Sequence, residues 1–271
     1  MTRVDEAGFT AFARELSTRT GVALDAYKPR CLARRIAVRM RACAVHTYDA
    51  YLDVLDGQPA ELERLHAALT INVTRFFRNP EVWVALARVL PSLFVQPREV
   101  RAWSAGCASG EEAHTLAILL AQAAEELGRP EWLERVRVDA TDIDRDSLLR
   151  TRAGRYRAAA LVEAPAGLVR RWFREDGDAM LVDPALRARI DVRAHDLTGD
   201  PAPSARYDLI ACRNVVIYFD RTMQERLFTA LHDALHPGGY LVLGKVETLV
   251  GAARERLELV DIRERIYRRP A

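Results

Sequence analysis

The sequence predicts an α/β protein: a doubly wound, mostly parallel sheet preceded by a small all-helical domain and carrying a small antiparallel β insert. Three observations predict it. Residues 8 to 69 show helical apolar periodicity with no strand pattern. From Val100 onward, short apolar runs alternate with amphipathic helical stretches, the rhythm of parallel βαβ units. Between Arg155 and Arg189 that rhythm breaks.

In the helical segment, the breaks fall at Gly21 to Pro29 and at Gly57 to Pro59, where glycine and proline punctuate the pattern. Pro29 suits the first turn of a helix. From there Arg30, Arg34 and Arg41 share one stripe and Leu32, Ile36, Met40 and Cys43 lie opposite, with Arg35 and Arg39 flanking the apolar side. Residues 71–97 read as a linker between a helical domain over 1–70 and a sheet domain over 98–271. Phe76, Phe77, Trp83, Leu86 and Leu90 make it too apolar for a free tether, so it is expected to pack.

The sheet domain then reads as strand Val100 to Ala105, helix Gly110 to Leu127, strand Val136 to Ala140 and helix Arg145 to Ala153. Strands Ile190 to Ala194 and Tyr207 to Cys212 follow, then helix Met223 to His236, strand Tyr240 to Gly244 and a closing strand pair within Leu257 to Arg268. Over 155–189, Trp172-Phe173, a Glu-Asp-Gly-Asp turn and Met180-Leu-Val182 predict the antiparallel insert.

Composition excludes several classes. The chain has 271 residues, 49% hydrophobic and 29% charged, enough for real cores in a soluble protein. Met1 to Glu15 has acids and no apolar h-region, and no run of eighteen uncharged apolar residues occurs, so neither a signal peptide nor a membrane span is expected and the cytoplasm is the default. Cys31, Cys43, Cys107 and Cys212 lie far apart without CxxC spacing, and the six histidines do not cluster with them. We therefore expect core thiols, no metal site and no disulfide framework. The net charge of +2 gives no general case for nucleic acid, and a monomer is the default.

Chemistry gathers at the expected carboxyl ends of the strands, where open α/β sheets hold ligands. The first strand leaves through Trp103-Ser-Ala-Gly106-Cys-Ala-Ser-Gly110-Glu-Glu112 into a helix. Gly106 lets a ligand approach the backbone, while the spacing is not GxGxxG, so a pyrophosphate lacks its fingerprint. Two acids opening the helix repel phosphate and welcome a cation such as an amino group or a sulfonium. Ser109 and Glu112 also have the spacing of a capping box, a purely structural use. The second strand ends in Thr141-Asp142-Ile-Asp144, where Asp142 is the candidate for ribose hydroxyls and Asp144 suits a helix cap. His195-Asp196-Leu197 sits where an adenine ring can meet an acceptor and an apolar wall, or is a surface turn. A nucleoside pocket with acids, a glycine and no phosphate cradle suggests S-adenosyl-L-methionine.

One further string breaks the generic pattern: Leu69-Thr-Ile-Asn72-Val-Thr74-Arg-Phe-Phe-Arg78. Together with the Gly106 to Glu112 turn, Thr141 to Asp144 and Arg213-Asn-Val-Val-Ile-Tyr-Phe219, it resembles the CheR family of chemotaxis receptor glutamate O-methyltransferases, whose pattern is close to LTxNxTxFFR. The likeness covers nearly the whole chain in matching order, including Gly154-Arg-Tyr-Arg157 and Pro237-Gly-Gly239. It departs at Ala113-His114-Thr115, where the family usually has Pro-Tyr-Ser, and at Gly244-Lys-Val-Glu247, where it usually has Gly-His-Ser-Glu.

The resemblance implies an S-adenosyl-L-methionine-dependent protein-glutamate O-methyltransferase, with S-adenosyl-L-homocysteine as product. Its partners would be the cytoplasmic helices of methyl-accepting chemoreceptors. By motif position, cofactor contacts would fall on Asn72, Thr74, Arg78, Glu112, Asp142, Asp196, Leu197, Asn214 and Val215, beside Gly106, and the reacting centre on Arg78 and Tyr218. A glutamate is ionised at neutral pH, its reference pKa being about 4.3, so methyl transfer to it needs no general base. The stripe of Arg30, Arg34 and Arg41 would suit an acidic receptor helix, or is an ordinary solvated face. Two other classes stay open: a related methyltransferase of another substrate class, though the NPPY-type signature of amino-methylating enzymes is absent, and a non-catalytic cofactor-binding adaptor.

Overall fold

The computed structural model describes residues 6–20, 24–69, 74–204 and 206–271. The chain divides into two compact units, Met1–Ile71 with Tyr218–Gln224, and Asn72–Ile217 with Glu225–Ala271.

The smaller unit is helical: α1 (Glu6–Thr20), α2 (Pro29–Ala42), α3 (Tyr48–Gly57) and α4 (Pro59–Leu69). Phe9, Phe12, Leu16, Ile36, Tyr51 and Leu65 are buried between them. Pro29 opens α2 as expected, because its missing N–H is one that a first turn leaves unpaired. Leu32, Ile36 and Met40 face the core, whereas Arg30, Arg34 and Arg41 are exposed. The two flanking arginines do more than flank. Arg39 Nε donates to the buried Glu61 at 2.9 Å, and the Tyr51 hydroxyl donates to the same carboxylate at 2.9 Å. The Arg39 hydrogen bond holds Glu61 below its ordinary carboxylate range in spite of burial. Arg35 lies over the Tyr218 ring, 5.3 Å from its centre, and the Lys28 N–H donates to the Tyr218 carbonyl at 2.8 Å.

The larger unit begins with α5 (Pro80–Ala87) and a 3-10 turn at Leu90–Phe94. Phe76, Trp83, Leu86, Leu90 and Phe94 are buried in its core, as the apolar composition of this stretch demands. Then come β1 (Val100–Ala105), α6 (Glu111–Glu126), β2 (Val136–Asp142), α7 (Arg145–Ala153), β3 (Arg155–Tyr156), α8 (Ala166–Trp172), β4 (Phe173–Asp176), β5 (Ala179–Val182), α9 (Pro184–Arg187), β6 (Ile190–Ala194), β7 (Tyr207–Cys212), α10 (Arg221–Ala234), β8 (Leu235–Leu243), α11 (Ala253–Arg256), β9 (Glu258–Asp261) and β10 (Ile266–Arg268).

Among the described residues these strands form two sheets, a seven-stranded one in the order β6-β2-β1-β7-β8-β10-β9 and a three-stranded one in the order β3-β5-β4. The large sheet is parallel from β6 to β8 and antiparallel only where β10 meets β8 and β9. The small sheet is the expected antiparallel insert; Arg155 ties its hairpin turn through Asp176 and Asp178, each at 2.9 Å. Several expected boundaries move by a residue or two, and one by more: the helix read as Met223 to His236 runs from Arg221 to Ala234, and the strand read as starting at Tyr240 starts at Leu235. The chain straightens directly after α10, and β8 shifts register against Tyr207/Leu209 where Gly238 and Gly239 lie. Among the described residues Cys43, Cys107 and Cys212 are free thiols, no His, Cys, Asp and Glu cluster is arranged to hold a metal ion, and no helix is long and apolar enough to cross a membrane.

The helix α6 is apolar around most of its circumference and buried for most of its length, which sets the fate of the unusual Ala113-His114-Thr115. His114 is 1% exposed. Its Nδ1–H donates to the Gly110 carbonyl at 2.9 Å, and burial depresses the imidazole pKa to about 4. An unfolded chain takes up that proton near pH 6.5, so between about 6.5 and 4 the unfolded state binds more protons and stability falls with pH. From pH 6.5 to 5 the wild-type protein should lose about 2 kcal/mol more than His114→Gln. Urea unfolding of both at the two pH values checks this; equal losses would show that His114 is not held neutral.

Candidate active site

Strand register brings the predicted site residues of the sheet together. In β1 and β2, Ala105 faces Thr141, so the Gly106 turn lies beside Asp142. In β2 and β6, Asp142 faces Ala194, which sets His195, Asp196 and Leu197 next to it. On the other side Ser104 faces Ala211 across β1 and β7, and Cys212 faces Leu243 across β7 and β8. Arg213, Asn214 and Val215 therefore leave the sheet between the Gly106 turn and Gly244. The strand order reverses between β1 and β7, the switch point at which such sheets bind ligands.

The first turn is shaped by its neighbours. Gly106 has φ +79°, and a Cβ there would stand 2.5 Å from Val215 Cγ2, so the space that glycine frees is filled by Val215 itself. Two of the predicted cofactor residues thus pack on each other. Asp142 is buried, and its two carboxylate oxygens accept from the Ala108 N–H at 2.8 Å and the Asp144 N–H at 2.9 Å. Ala108 has a left-handed φ of +48°, a conformation that the Asp142 bond pins in place. Burial raises the Asp142 pKa and these two amides oppose the rise. Each oxygen keeps a second lone pair, enough to accept a hydroxyl. Asp144 takes the helix cap, accepting from the Asp146 and Ser147 amides at the start of α7.

The capping-box reading of Ser109 and Glu112 is corrected. The residue before α6 is Gly110, which caps with no side chain, and the Ser109 hydroxyl donates to Glu111 at 2.8 Å instead. Glu112 turns toward the strand ends, accepting from the Ser104 hydroxyl at 2.8 Å and from Arg213 Nη1 at 3.3 Å. The reason is competition: a buried guanidinium is a stronger donor than a backbone amide. Burial raises the Glu112 pKa, and the Arg213 charge holds it back down.

Arg213, with a side chain 2% exposed, is the hub that sequence reasoning left without a role. Besides Glu112, its Nη2 donates to the Arg78 carbonyl at 2.9 Å and to Asn79 Oδ1 at 3.3 Å, and its guanidinium stacks 4.5 Å from the Trp83 ring centre. Trp83 Nε1–H donates to the same Arg78 carbonyl at 3.0 Å. Thr115, from the unusual triplet on α6, accepts from the Phe77 N–H at 3.2 Å. These bonds fix a turn that needs fixing, since Phe77 and Asn79 both have left-handed φ, +54° and +60°. Phe76 anchors it, edge-on to Tyr156 and Phe173.

Other predicted residues fall as follows. Thr74, Arg78, Asn214, Val215, Asp196 and Leu197 are half-buried. Asp196 closes its own turn, accepting from the Thr198 amide at 2.8 Å and hydroxyl at 2.7 Å, and the His195 N–H ties that turn to the Asp142 carbonyl at 3.0 Å. Asn72 lies outside the described residues. Tyr218 belongs to the helical unit, beside Arg35. A cavity of about 250 Å³ lined by Thr151, Arg152, Arg187 and Asp191 contains none of them.

A doubly wound sheet whose carboxyl edge offers the carboxyl groups of Glu112 and Asp142 and lacks the GxGxxG phosphate turn suits a nucleoside-binding domain. Residues 72–266 match the family described as CheR methyltransferase, SAM binding domain, and residues 7–70 match CheR methyltransferase, all-alpha domain. A chemotaxis protein methyltransferase of Vibrio parahaemolyticus is 31% identical over 263 residues, covering 95% of this chain and 94% of that one. One from Listeria innocua is 32% identical over 250 residues, 92% of each. An uncharacterized 104.1 kDa protein of Rhodobacter capsulatus is 36% identical over 245 residues, and the match spans 89% of this chain but only 25% of that protein's length. The chain belongs to the CheR methyltransferase family, and its cofactor is S-adenosylmethionine. The donor set fits that cofactor: Glu112 and Asp142 are carboxylates with unused acceptor capacity, suited to an ammonium and to hydroxyls.

Replacing Arg213 by Gln should cost about 3–5 kcal/mol of stability, because Glu112 would be left as a buried, uncompensated charge. Glu112→Gln on the same background should restore part of the loss. Denaturant unfolding of the single and double variants measures this coupling; additive losses would show that the pair is not energetically linked.

Proposed function

We propose that this methyltransferase esterifies glutamate side chains on the cytoplasmic helices of chemoreceptors, acting as a monomeric protein-glutamate O-methyltransferase in the cytoplasm. The observation that carries the proposal is family membership over both segments, together with relatives named chemotaxis protein methyltransferase that match along nearly their full length. In this reading residues 98–271 form the cofactor domain, with the insert at 155–189, and residues 1–70 meet the receptor. The exposed Arg30, Arg34 and Arg41 give that unit a cationic face suited to an acidic helix.

The bound cofactor supplies an electrophilic methyl group. Asn72, Thr74, Gly106, Glu112, Asp142, Asp196, Leu197, Asn214 and Val215 hold the nucleoside and its amino-acid tail, with Asp142 accepting from ribose hydroxyls and Glu112 from the ammonium. Arg78 orients a carboxylate by charge-assisted hydrogen bonds, and Tyr218 borders the methyl acceptor. With no proton to remove from an ionised glutamate, positioning is the main task, and fixed geometry is worth several kcal/mol.

Incubation with labelled S-adenosylmethionine and receptor-rich membranes should place base-labile label on receptor glutamates. Label on another substrate class would favour a different methyltransferase, and binding without transfer would favour an adaptor. Arg78→Ala and Tyr218→Phe should each lower turnover by roughly 100-fold while leaving the unfolding transition near that of the wild type. Arg30, Arg34 and Arg41 changed together to Ala should raise KM for receptor and weaken its salt dependence, with kcat little altered.

A further inference from the structure

The motif Gly244-Lys-Val-Glu247 ends β8 with an acid that has no part in the function described so far. Glu247 is 3% exposed. Its carboxylate serves three backbone amides drawn from two loops: Oε2 accepts from the Asn214 N–H at 2.9 Å and the Gly244 N–H at 2.6 Å, and Oε1 from the Ile217 N–H at 3.3 Å. Its own N–H donates to the Gly244 carbonyl at 2.9 Å, closing the turn that carries it. Gly244 is required for this arrangement, because a Cβ there would stand 2.6 Å from Glu247 Oε2 and 2.9 Å from the Asn214 nitrogen.

Two of the three amides, those of Asn214 and Ile217, belong to the turn after β7, in which Asn214 holds a left-handed φ of +61°. Such a turn points successive N–H groups inward, where without an acceptor they would be buried and unpaired. A carboxylate is the strongest acceptor a side chain offers, and with two oxygens it can gather several donors at once. An amide in its place would present an NH2 group to one set of donors, and an aspartate would fall short by one methylene.

We propose that Glu247 is a positioning residue, an internal anion around which the 214–217 turn is built, which fixes where Asn214 and Val215 meet the cofactor. It touches neither cofactor nor acceptor in this scheme and acts only through that turn. Val215, packed against Gly106, then carries the placement across to the first turn of the sheet. The inference rests on the assignment of Asn214 and Val215 to cofactor binding.

The test is calorimetric titration of the full chain with S-adenosyl-L-homocysteine. Glu247→Gln and Gly244→Ala, which crowds the same carboxylate, should each weaken binding at least tenfold with the fold retained by circular dichroism. In an Asn214→Ala background, Glu247→Gln should cost less, because one of the two residues through which it acts is already lost; equal fold-changes in both backgrounds would show that the effect does not pass through Asn214 and would overturn that part of the proposal. Affinity within twofold of wild type in either folded variant overturns the proposal. Failure of both to fold overturns it too, since Glu247 would then serve the fold and not the site. A wild-type chain that binds no S-adenosyl-L-homocysteine defeats the cofactor assignments instead, so the two failures are distinguishable.

Discussion

The guanidinium of Arg213 is an ion placed where water cannot reach it, and the carboxyl edge of the sheet is organised to make that tolerable. Removing a charge from water costs several kcal/mol even after relaxation, and one carboxylate partner seldom recovers it. Here the recovery is shared among the Glu112 carboxylate, the Arg78 carbonyl, the Asn79 side chain and the face of Trp83. These partners come from three parts of the chain: the start of α6, the turn before α5 and α5 itself. The same contacts that keep the cation in place therefore hold the Arg78 turn against the strand ends. A planar, always-charged fork suits this task, and a lysine ammonium would reach fewer of the partners.

Strain accompanies the polar network. Phe77, Asn79, Ala108 and Asn214 all take left-handed φ without being glycine, and all lie in the turns at this edge. Each has a neighbouring bond that holds it: Thr115 for Phe77, Glu163 for the Asn79 amide, Asp142 for Ala108 and Glu247 for Asn214. Three of these four holders are carboxylates, so acids shape the backbone of the turns at this edge. The departure from the usual family triplet also resolves physically, since Thr115 bonds the Phe77 turn while His114 fills an interior position as a neutral ring.

Much of this was legible in one dimension. The strands Ile190–Ala194 and Tyr207–Cys212 fall where they were read to the residue: every position of β7 is buried, whereas the edge strand β6 alternates half-buried Ile190 and Val192 with exposed Asp191 and Arg193. Asp144, directly before α7, takes the helix cap as its position suggested. The start of β8 and the orientation of Glu112 were not legible. Capping statistics describe a helix end in water, whereas Glu112 starts a helix beside a buried cation contributed by Arg213, 101 residues further along. No local pattern carries that information.

The sequence by itself determined the class of sheet, the order of its elements and the family, because periodicity and short motifs are properties of neighbouring residues. It also determined which residues were available at the strand ends. Tertiary structure alone decided which of them meet. Parallel register set Ala105 against Thr141 and Cys212 against Leu243, and so placed turns separated by scores of residues within hydrogen-bonding reach. Burial then chose the partners, since an ion or amide removed from water must take whatever complementary group the packing supplies.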